Sequence, residues 1–161
     1  LSRLAGYIKI KGAIMTLDKR LQKQGITLDV LIDTALEMYI YDPKIGGEKK
    51  MRSALRREFK KALKDINVSS LVLAGFLLEE ELKKGNIHGL ARKKYLSDPV
   101  DLIADEMLGM QIANYIAGSR SIFEFERFDK KKPGILKHLP PMLDDIIGGL
   151  ISGVLVKVCS R

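Results

Sequence analysis

The chain has 161 residues, 46% hydrophobic and 30% charged, a balance typical of a soluble globular protein of ordinary domain size. Its single cysteine, Cys159, excludes an internal disulfide and any zinc or redox motif built on a pair of cysteines. The formal net charge is +8, and outside one basic segment at 44–64 the chain is nearly balanced.

The first 24 residues show no clear periodicity. The segment Tyr7–Lys11 alternates like a strand, but nothing nearby offers it a partner. We expect residues 1–24 to form an arm or an additional helix. There is no secretory signal pattern, and the longest apolar run, Ile146–Val156, has eleven residues where a membrane span needs about 20. These features predict a cytoplasmic protein that is at most peripheral to a membrane.

A helical pattern begins after Gly25. Thr27 can cap a helix that runs to about Tyr41, because the apolar residues of this stretch recur every three or four positions. Asp33 and Glu37 lie four residues apart on this helix and face either solvent or a shared site.

A strongly basic helix is predicted from about 48 to 66. Between Lys44 and Lys64 there are nine basic and two acidic residues, while Met51 and Phe59 belong to an apolar face on the other side. The basic face fits an anionic lipid surface or a nucleic-acid backbone. No nucleic-acid-binding motif accompanies it, which disfavours nucleic acid as the partner. A basic interaction module without catalysis is the alternative function.

The third clear helix is predicted to start near Ser69 or Ser70, capped by Asn67 or Ser69, and to end at Gly85. Its acidic run, Glu79–Glu81, is expected to be a solvated helix face. Alternatively, this run contacts the basic helix of another subunit in a homo-oligomer.

Asp98-Pro99 has the pattern of a helix N-cap followed by proline at the first helical position. A helix is therefore predicted from there to about residue 117. It would carry Asp101, Asp105 and Glu106, with the two aspartates on one face because they are four residues apart.

Residues 119–140 look irregular, and Pro140-Pro141 then opens a last helix over about 142–158. Aromatic residues make up 6% of the chain and include no tryptophan, which favours an aliphatic helical core over a β-sandwich. We predict an all-α fold, a compact bundle of about five or more helices in which residues 1–161 form a single domain.

An acid pair, Asp144-Asp145, opens this last helix, which is then uncharged up to Val156. A helix that is apolar on every side is buried, so its entrance would desolvate both carboxylates unless cations or protons compensate. Mg²⁺ bound by carboxylate oxygens meets that need, while stabilisation of the acid pair by the helix dipole is the purely structural alternative. Neighbouring helical residues point about 100° apart, so we expect one of each acid pair, Asp105 and Asp145, to face the site.

The segment 127–134 joins the two acid-bearing helices and adds cations to them. Arg127 can clamp phosphate oxygens through its forked guanidinium, and Lys132 can supply a point charge. Asp129 lies between them in sequence and adds a further carboxylate.

Three elements in this order resemble the phosphatidylglycerophosphatase A family. Residues 104–109 read ADEMLG, residues 128–133 read FDKKKP and residues 142–149 read MLDDIIGG. They resemble the D-E-x-x-G, F-D-x-x-K-P and L-D-D-[IV]-x-[AG]-G elements of that family. The resemblance covers about residues 26–158 and is sharp from Asp105 onward.

The resemblance implies Mg²⁺-dependent hydrolysis of a phosphomonoester. Residues in catalytic positions would be Asp105, Asp129 and Asp145, and Arg127 and Lys132 would contact the phosphate. The implied metal ligands are the five acids Asp105, Glu106, Asp129, Asp144 and Asp145.

The substrate expected from the resemblance depends on the branch of the family. The chain lacks the tryptophan that usually follows the Lys-Pro pair, and it has no predicted membrane span, so it is similar to the soluble branch. That branch includes an archaeal α-ribazole-5′-phosphate phosphatase of cobalamin synthesis, which makes α-ribazole 5′-phosphate the first expected substrate. Phosphatidylglycerophosphate at a membrane surface is the alternative.

Overall fold

The computed structural model describes residues 17–97 and 99–160, and these residues form helices and no strand. The predicted all-α class is confirmed. The strand-like Tyr7–Lys11 segment lies outside the described residues. The helices are α1 (Leu17–Lys23), α2 (Leu28–Met38), α3 (Glu48–Ala62), α4 (Ile66–Lys84), α5 (Arg92–Tyr95), α6 (Ala104–Ala117), α7 (Arg120–Lys131) and α8 (Pro141–Cys159), with a 3₁₀ turn at Leu136–His138.

The central helix is α8, which packs against α2, α3, α4, α6 and α7. Every residue from Met142 to Leu155 is buried, as expected for a helix that is apolar on all sides. The acid pair near its start, Asp144 and Asp145, is therefore carried into the interior with it. Within the described ranges, no helix combines the length and apolar character that crossing a bilayer requires.

Helices α6 and α8 approach each other closely where they cross. A Cβ at Gly149 would lie 2.1 Å from the carbonyl oxygen of Gly109, and a Cβ at Gly109 would lie 2.5 Å from the carbonyl oxygen of Asp145. Real Cβ atoms do not approach so closely, so both positions require glycine for the two backbones to touch. The lack of side-chain bulk on α8 thus accommodates α6.

Two helix starts show how capping sets the boundaries. Thr27 Oγ1 accepts from the amide of Val30, which confirms the predicted cap of α2. For α4 the predicted start near Ser69 or Ser70 is wrong. Asp65 accepts from the amides of Asn67 and Val68, so the helix begins at Ile66.

The helix predicted from Pro99 instead begins at Ala104. Residues 99–102 form a turn closed by a hydrogen bond from the amide of Leu102 to the carbonyl of Pro99, and Asp98 lies outside the described residues. Val100 is 94% exposed, so this segment would gain little packing energy as a further helical turn. Asp101 consequently lies before the helix, ion-paired with Lys94, and does not share a face with Asp105.

The expectation that residues 119–140 are irregular is also wrong. They contain α7, which buries Ser121, Phe125 and Phe128 along one side. The three- and four-residue spacing of these side chains is helical, although the high charge of the segment concealed it. Asp129 and Arg127 therefore lie on a helix, whereas Lys132 ends it with a left-handed backbone, φ +41°.

Candidate functional site

Three carboxylates meet where the first turns of α6 and α8 come together. Oxygen atoms of Asp105, Glu106 and Asp145 all lie within 4.8 Å of one another. The two aspartates are nearly sealed from solvent, at 3% and 5% exposure. We refer to Asp105, Glu106 and Asp145 as the carboxylate trio.

The glycine crossing explains why the trio forms. Gly109 follows Asp105 by four residues, and Gly149 follows Asp145 by four residues. Each aspartate therefore lies on the same face as its glycine, about one turn towards the helix N-terminus. Contact between the two glycine backbones brings the aspartates together, and the positive ends of two helix dipoles point towards them.

The trio is too crowded and too dry to carry its full negative charge at neutral pH. Burial raises the pKa of Asp105 to about 8, with the hydrogen bond and charge of Glu106 adding to the effect. Burial likewise raises the pKa of Asp145 to about 9, with the charges of Asp144, Asp129 and Asp105 adding and Lys132 opposing. The site thus holds protons unless a cation replaces them.

Lys132 connects the remaining two predicted acids to the trio. Its Nζ donates to Asp144 Oδ2 and lies 3.6 Å from Asp129 Oδ1. Burial acts to lower the pKa of Lys132, but the hydrogen bond to Asp144 and the charges of Asp144, Asp145 and Asp129 raise it overall. Lys132 therefore stays an ammonium beside the carboxylates.

The loop that follows Lys132 is fixed to α2. The amide of Gly134 donates to Glu37 Oε2 at 3.0 Å, and the amide of Ile135 donates to Thr34 Oγ1 at 3.2 Å. Gly134 has φ +52°, and a Cβ there would lie 2.3 Å from Thr34 Oγ1, so this position needs glycine. Of the two α2 acids singled out from the sequence, Asp33 and Glu37, Glu37 thus reaches the site loop, whereas Asp33 pairs with Arg52 on the protein surface.

Arg127 is placed differently from the other predicted site residues. Its guanidinium pairs with both oxygens of Glu124, at 2.7 and 2.8 Å, and contacts the carbonyl of Met38. Asp129 lies two positions further along the helix, about 200° around it. The role of Arg127 in phosphate binding stays a prediction, and the contacts described here tie it to α2 and α7 rather than to the trio.

The trio fits a divalent cation better than a closed hydrogen-bond network. Glu106 Oε2 and Asp145 Oδ1 are buried without a hydrogen-bond partner in the part of the chain that the structure describes. Unsatisfied buried carboxylate oxygens are costly, and oxygen ligands are what Mg²⁺ and Mn²⁺ prefer. In the α8 pair, Asp145 belongs to the trio and Asp144 accepts from Lys132 instead. In α6 both Asp105 and Glu106 contribute.

Apart from the trio, the structure buries a polar pair, Glu79 and Tyr95, that the sequence analysis did not predict. Glu79, expected on a solvated face, is 2% exposed and accepts a hydrogen bond from Tyr95, which is fully buried. The available signal was position, since Glu79 continues the stripe of Val72 and Phe76 along α4. Glu80 and Glu81 are at the surface as expected, paired with Arg20 and Lys84.

Comparison with known proteins places these features in a family. A family model described as phosphatidylglycerophosphatase A matches residues 30–160. An uncharacterized protein of Methanocaldococcus jannaschii is 36% identical over 135 residues, covering 79% of this chain and 98% of that protein. The crystal structure of the low temperature requirement C protein from Listeria monocytogenes superposes with a TM-score of 0.76 and 25% identity, covering 89% of this chain and 92% of that one. A protein of unknown function from Bacillus stearothermophilus shares the fold, with a TM-score of 0.74, 20% identity and coverage of 89% and 96%.

Proposed function

We propose that this chain, which belongs to the phosphatidylglycerophosphatase A family, is a metal-dependent hydrolase of phosphate monoesters. The observation that carries the proposal is the trio itself: three clustered carboxylates with two buried oxygens that lack a hydrogen-bond partner among the described residues. A cluster of this kind is unfavourable as bare protein and becomes favourable when it holds a cation.

The proposed division of roles follows from burial. Asp105, Glu106 and Asp145 hold the ion, and a divalent ion bound there, proposed as Mg²⁺, would lower the pKa of water and neutralise charge on the phosphate. Asp129 is 34% exposed and is proposed to accept the proton of the attacking water. Lys132, held by Asp144, presents its ammonium to a phosphate oxygen. Water adds to phosphorus as the ester P–O bond breaks, which releases inorganic phosphate and an alcohol.

The substrate we propose first is α-ribazole 5′-phosphate. The support is the resemblance of the sequence to the soluble branch of the family. In this chain the Lys-Pro pair at 132–133 is followed by Gly-Ile and not by tryptophan. Such a substrate presents a small phosphate monoester of the kind the trio and Lys132 are proposed to bind.

Phosphatidylglycerophosphate is the second candidate, and a specific surface favours it. In the segment that leads into α6 and in its first turn, four large apolar side chains are more than half exposed: Leu96, Val100, Ile103 and Met107. Ile103 and Met107 flank Asp105 and Glu106 in sequence. Exposed apolar side chains in the segment that carries two of the trio's acids would suit an acyl-bearing substrate at a lipid surface.

The test measures phosphate release from both substrates side by side, with Mg²⁺ and with a chelator. Turnover of α-ribazole 5′-phosphate alone would support the first substrate, and turnover of phosphatidylglycerophosphate in vesicles would support the second. Turnover that the chelator leaves unchanged would refute the metal-dependent mechanism. Release from neither substrate would refute both substrate assignments.

A matched pair of variants separates the site from the general acidity of this region. Asp105→Asn removes a buried member of the trio and should lower phosphate release about a hundred-fold or more. Asp101→Asn removes an exposed carboxylate that lies four residues earlier and pairs with Lys94, and this change should leave phosphate release at the native level. Equal effects of the two substitutions would contradict the assignment of the trio.

A further inference from the structure

We infer that Tyr95 is a positioning residue: its hydroxyl caps the first turn of α8 and thereby sets where Asp145 meets α6. The inference rests on the proposed function, because what Tyr95 positions is a proposed metal ligand. Tyr95 lies on α5, a short helix that takes no part in the trio.

The start of α8 lacks a cap of the ordinary kind. Pro140 at the N-cap has no side-chain oxygen, and Pro141 has no amide hydrogen. The amides of Leu143 and Asp144 both donate to the carbonyl of Pro140. The amide of Met142 donates instead to Tyr95 Oη at 3.2 Å.

The direction of the tyrosine hydroxyl is fixed by a buried acid. Tyr95 is fully buried and donates its proton to Glu79, which is 2% exposed and forms an ion pair with Lys83 at 2.8 Å. Because the hydroxyl proton points to Glu79, a lone pair of the same oxygen accepts from Met142. A chain of polar contacts therefore runs from α4 through α5 to the first turn of α8.

This series of polar contacts ends close to the trio. Met142 precedes Asp145 by three residues, so the capped amide and the proposed ligand belong to neighbouring positions on one helical turn. Burial and the hydrogen bond to Glu79 raise the pKa of Tyr95, and the charge of Asp105 adds a smaller effect. The glycine crossing sets how close α6 and α8 lie, and the Tyr95 cap sets the position of α8's first turn.

Two measurements on the whole chain test the inference. Hydrogen exchange by NMR should show the Met142 amide protected in the native protein and exposed in Tyr95→Phe, which keeps the ring but removes the hydroxyl. Calorimetric titration with Mn²⁺ should show about ten-fold weaker binding in Tyr95→Phe, which is the size of effect expected when a group that orients a metal ligand is removed. In Glu79→Gln, whose amide oxygen can still accept from Tyr95, affinity should stay near the native value.

The matched control is Tyr115→Phe, which removes a hydroxyl that accepts from Asn67 Nδ2 at 2.6 Å, far along α6 from the trio. Its Mn²⁺ affinity should be native. A Met142 amide that exchanges freely in the native protein would overturn the inference, with no variant needed. Native Mn²⁺ affinity in Tyr95→Phe would overturn it while leaving the proposed function intact. A native chain that binds no Mn²⁺ would overturn both.

Discussion

Buried carboxylates lie near both ends of α8, the trio at its start and Glu58 of α3 near Lys157 at the other end, yet their surroundings differ. At the N-terminal end, the trio has two buried oxygens without a partner among the described residues. About 18 Å further along the helix, Lys157 lines a cavity of about 390 Å³ together with Glu58. Glu58 is 6% exposed and has Lys61 at 3.2 Å and Arg57 at 3.5 Å. A buried acid alone therefore indicates little. What distinguishes the site is that two of its buried oxygens have no hydrogen-bond partner among the described residues.

A dense group of cations also indicates little by itself. We call the surface formed by Arg56, Arg57, Lys60, Lys61 and Lys64 the basic groove. These cations surround a cavity of about 410 Å³ on the surface of α3. Arg56 pairs with Asp29, and salt screens exposed charges of this kind. The densest charge of the sequence thus lies on a solvated face, away from the proposed chemistry. Its docking on an anionic lipid surface stays a prediction.

The largest expected effect is the difference in phosphate release between variants of Asp145 and of Glu58. Asp145→Asn should lower Mg²⁺-dependent phosphate release by about a hundred- to a thousand-fold and leave the helical circular dichroism intact. Because burial raises the pKa of Asp145 and so makes its ionised form unfavourable in the fold, the same change should raise the melting temperature of the metal-free protein. Glu58→Gln at the other end should leave phosphate release at the native level. An active Asp145→Asn enzyme would contradict the site.

The next effect concerns the two groups of lysines. Lys132→Met removes the cation that neutralises Asp144, and should lower phosphate release about ten-fold or more and destabilise the fold by about 2 kcal/mol, between the values for exposed and buried pairs. Lys60→Met in the basic groove should change neither quantity. Urea unfolding and a phosphate assay measure both. A destabilised Lys132→Met that keeps native turnover would assign Lys132 to structure alone.

The helix crossing can be tested by adding one methyl group. Gly149→Ala would place a Cβ 2.1 Å from Gly109 and should cost about 1–3 kcal/mol of unfolding free energy. The neighbouring Gly148→Ala, whose Cβ would lie 3.6 Å from Leu136, is an ordinary contact and should be tolerated. Equal unfolding midpoints in urea would show that the backbones do not touch at this point.

The smallest effect is a dependence of stability on pH. In the folded metal-free chain, Asp105 and Asp145 keep protons up to about pH 8 and 9, whereas in the unfolded chain they lose them near pH 4. The folded state binds more protons in this window, so stability falls as pH rises through it. The melting temperature with chelator should drop by more than about 2 °C from pH 6 to pH 9. Asp145→Asn should make this drop in melting temperature smaller. A melting temperature of the native chain that rises with pH would contradict the crowding of the trio.

Some parts of the site could be predicted because they are local in sequence. Asp105 and Glu106 are neighbours, as are Asp144 and Asp145, and an uncharged helix after an acid pair implies that the pair is buried. The roles of Glu79 and Tyr95 could not be predicted, since their partners lie 16 and 47 residues away in the chain. The start of α6 was misplaced because a proline can open a turn as readily as a helix.

The sequence by itself determined the helical class, the burial of α8 and the two adjacent acid pairs, because each follows from periodicity, hydropathy or adjacency along the chain. Asp129 was added to these acids only through the resemblance to the family. Only the tertiary structure decided which oxygens meet and which stay without partners. Those outcomes depend on the contact of Gly109 with Gly149 and on which cations reach which acids. Packing between distant segments fixes both, and no local pattern encodes it.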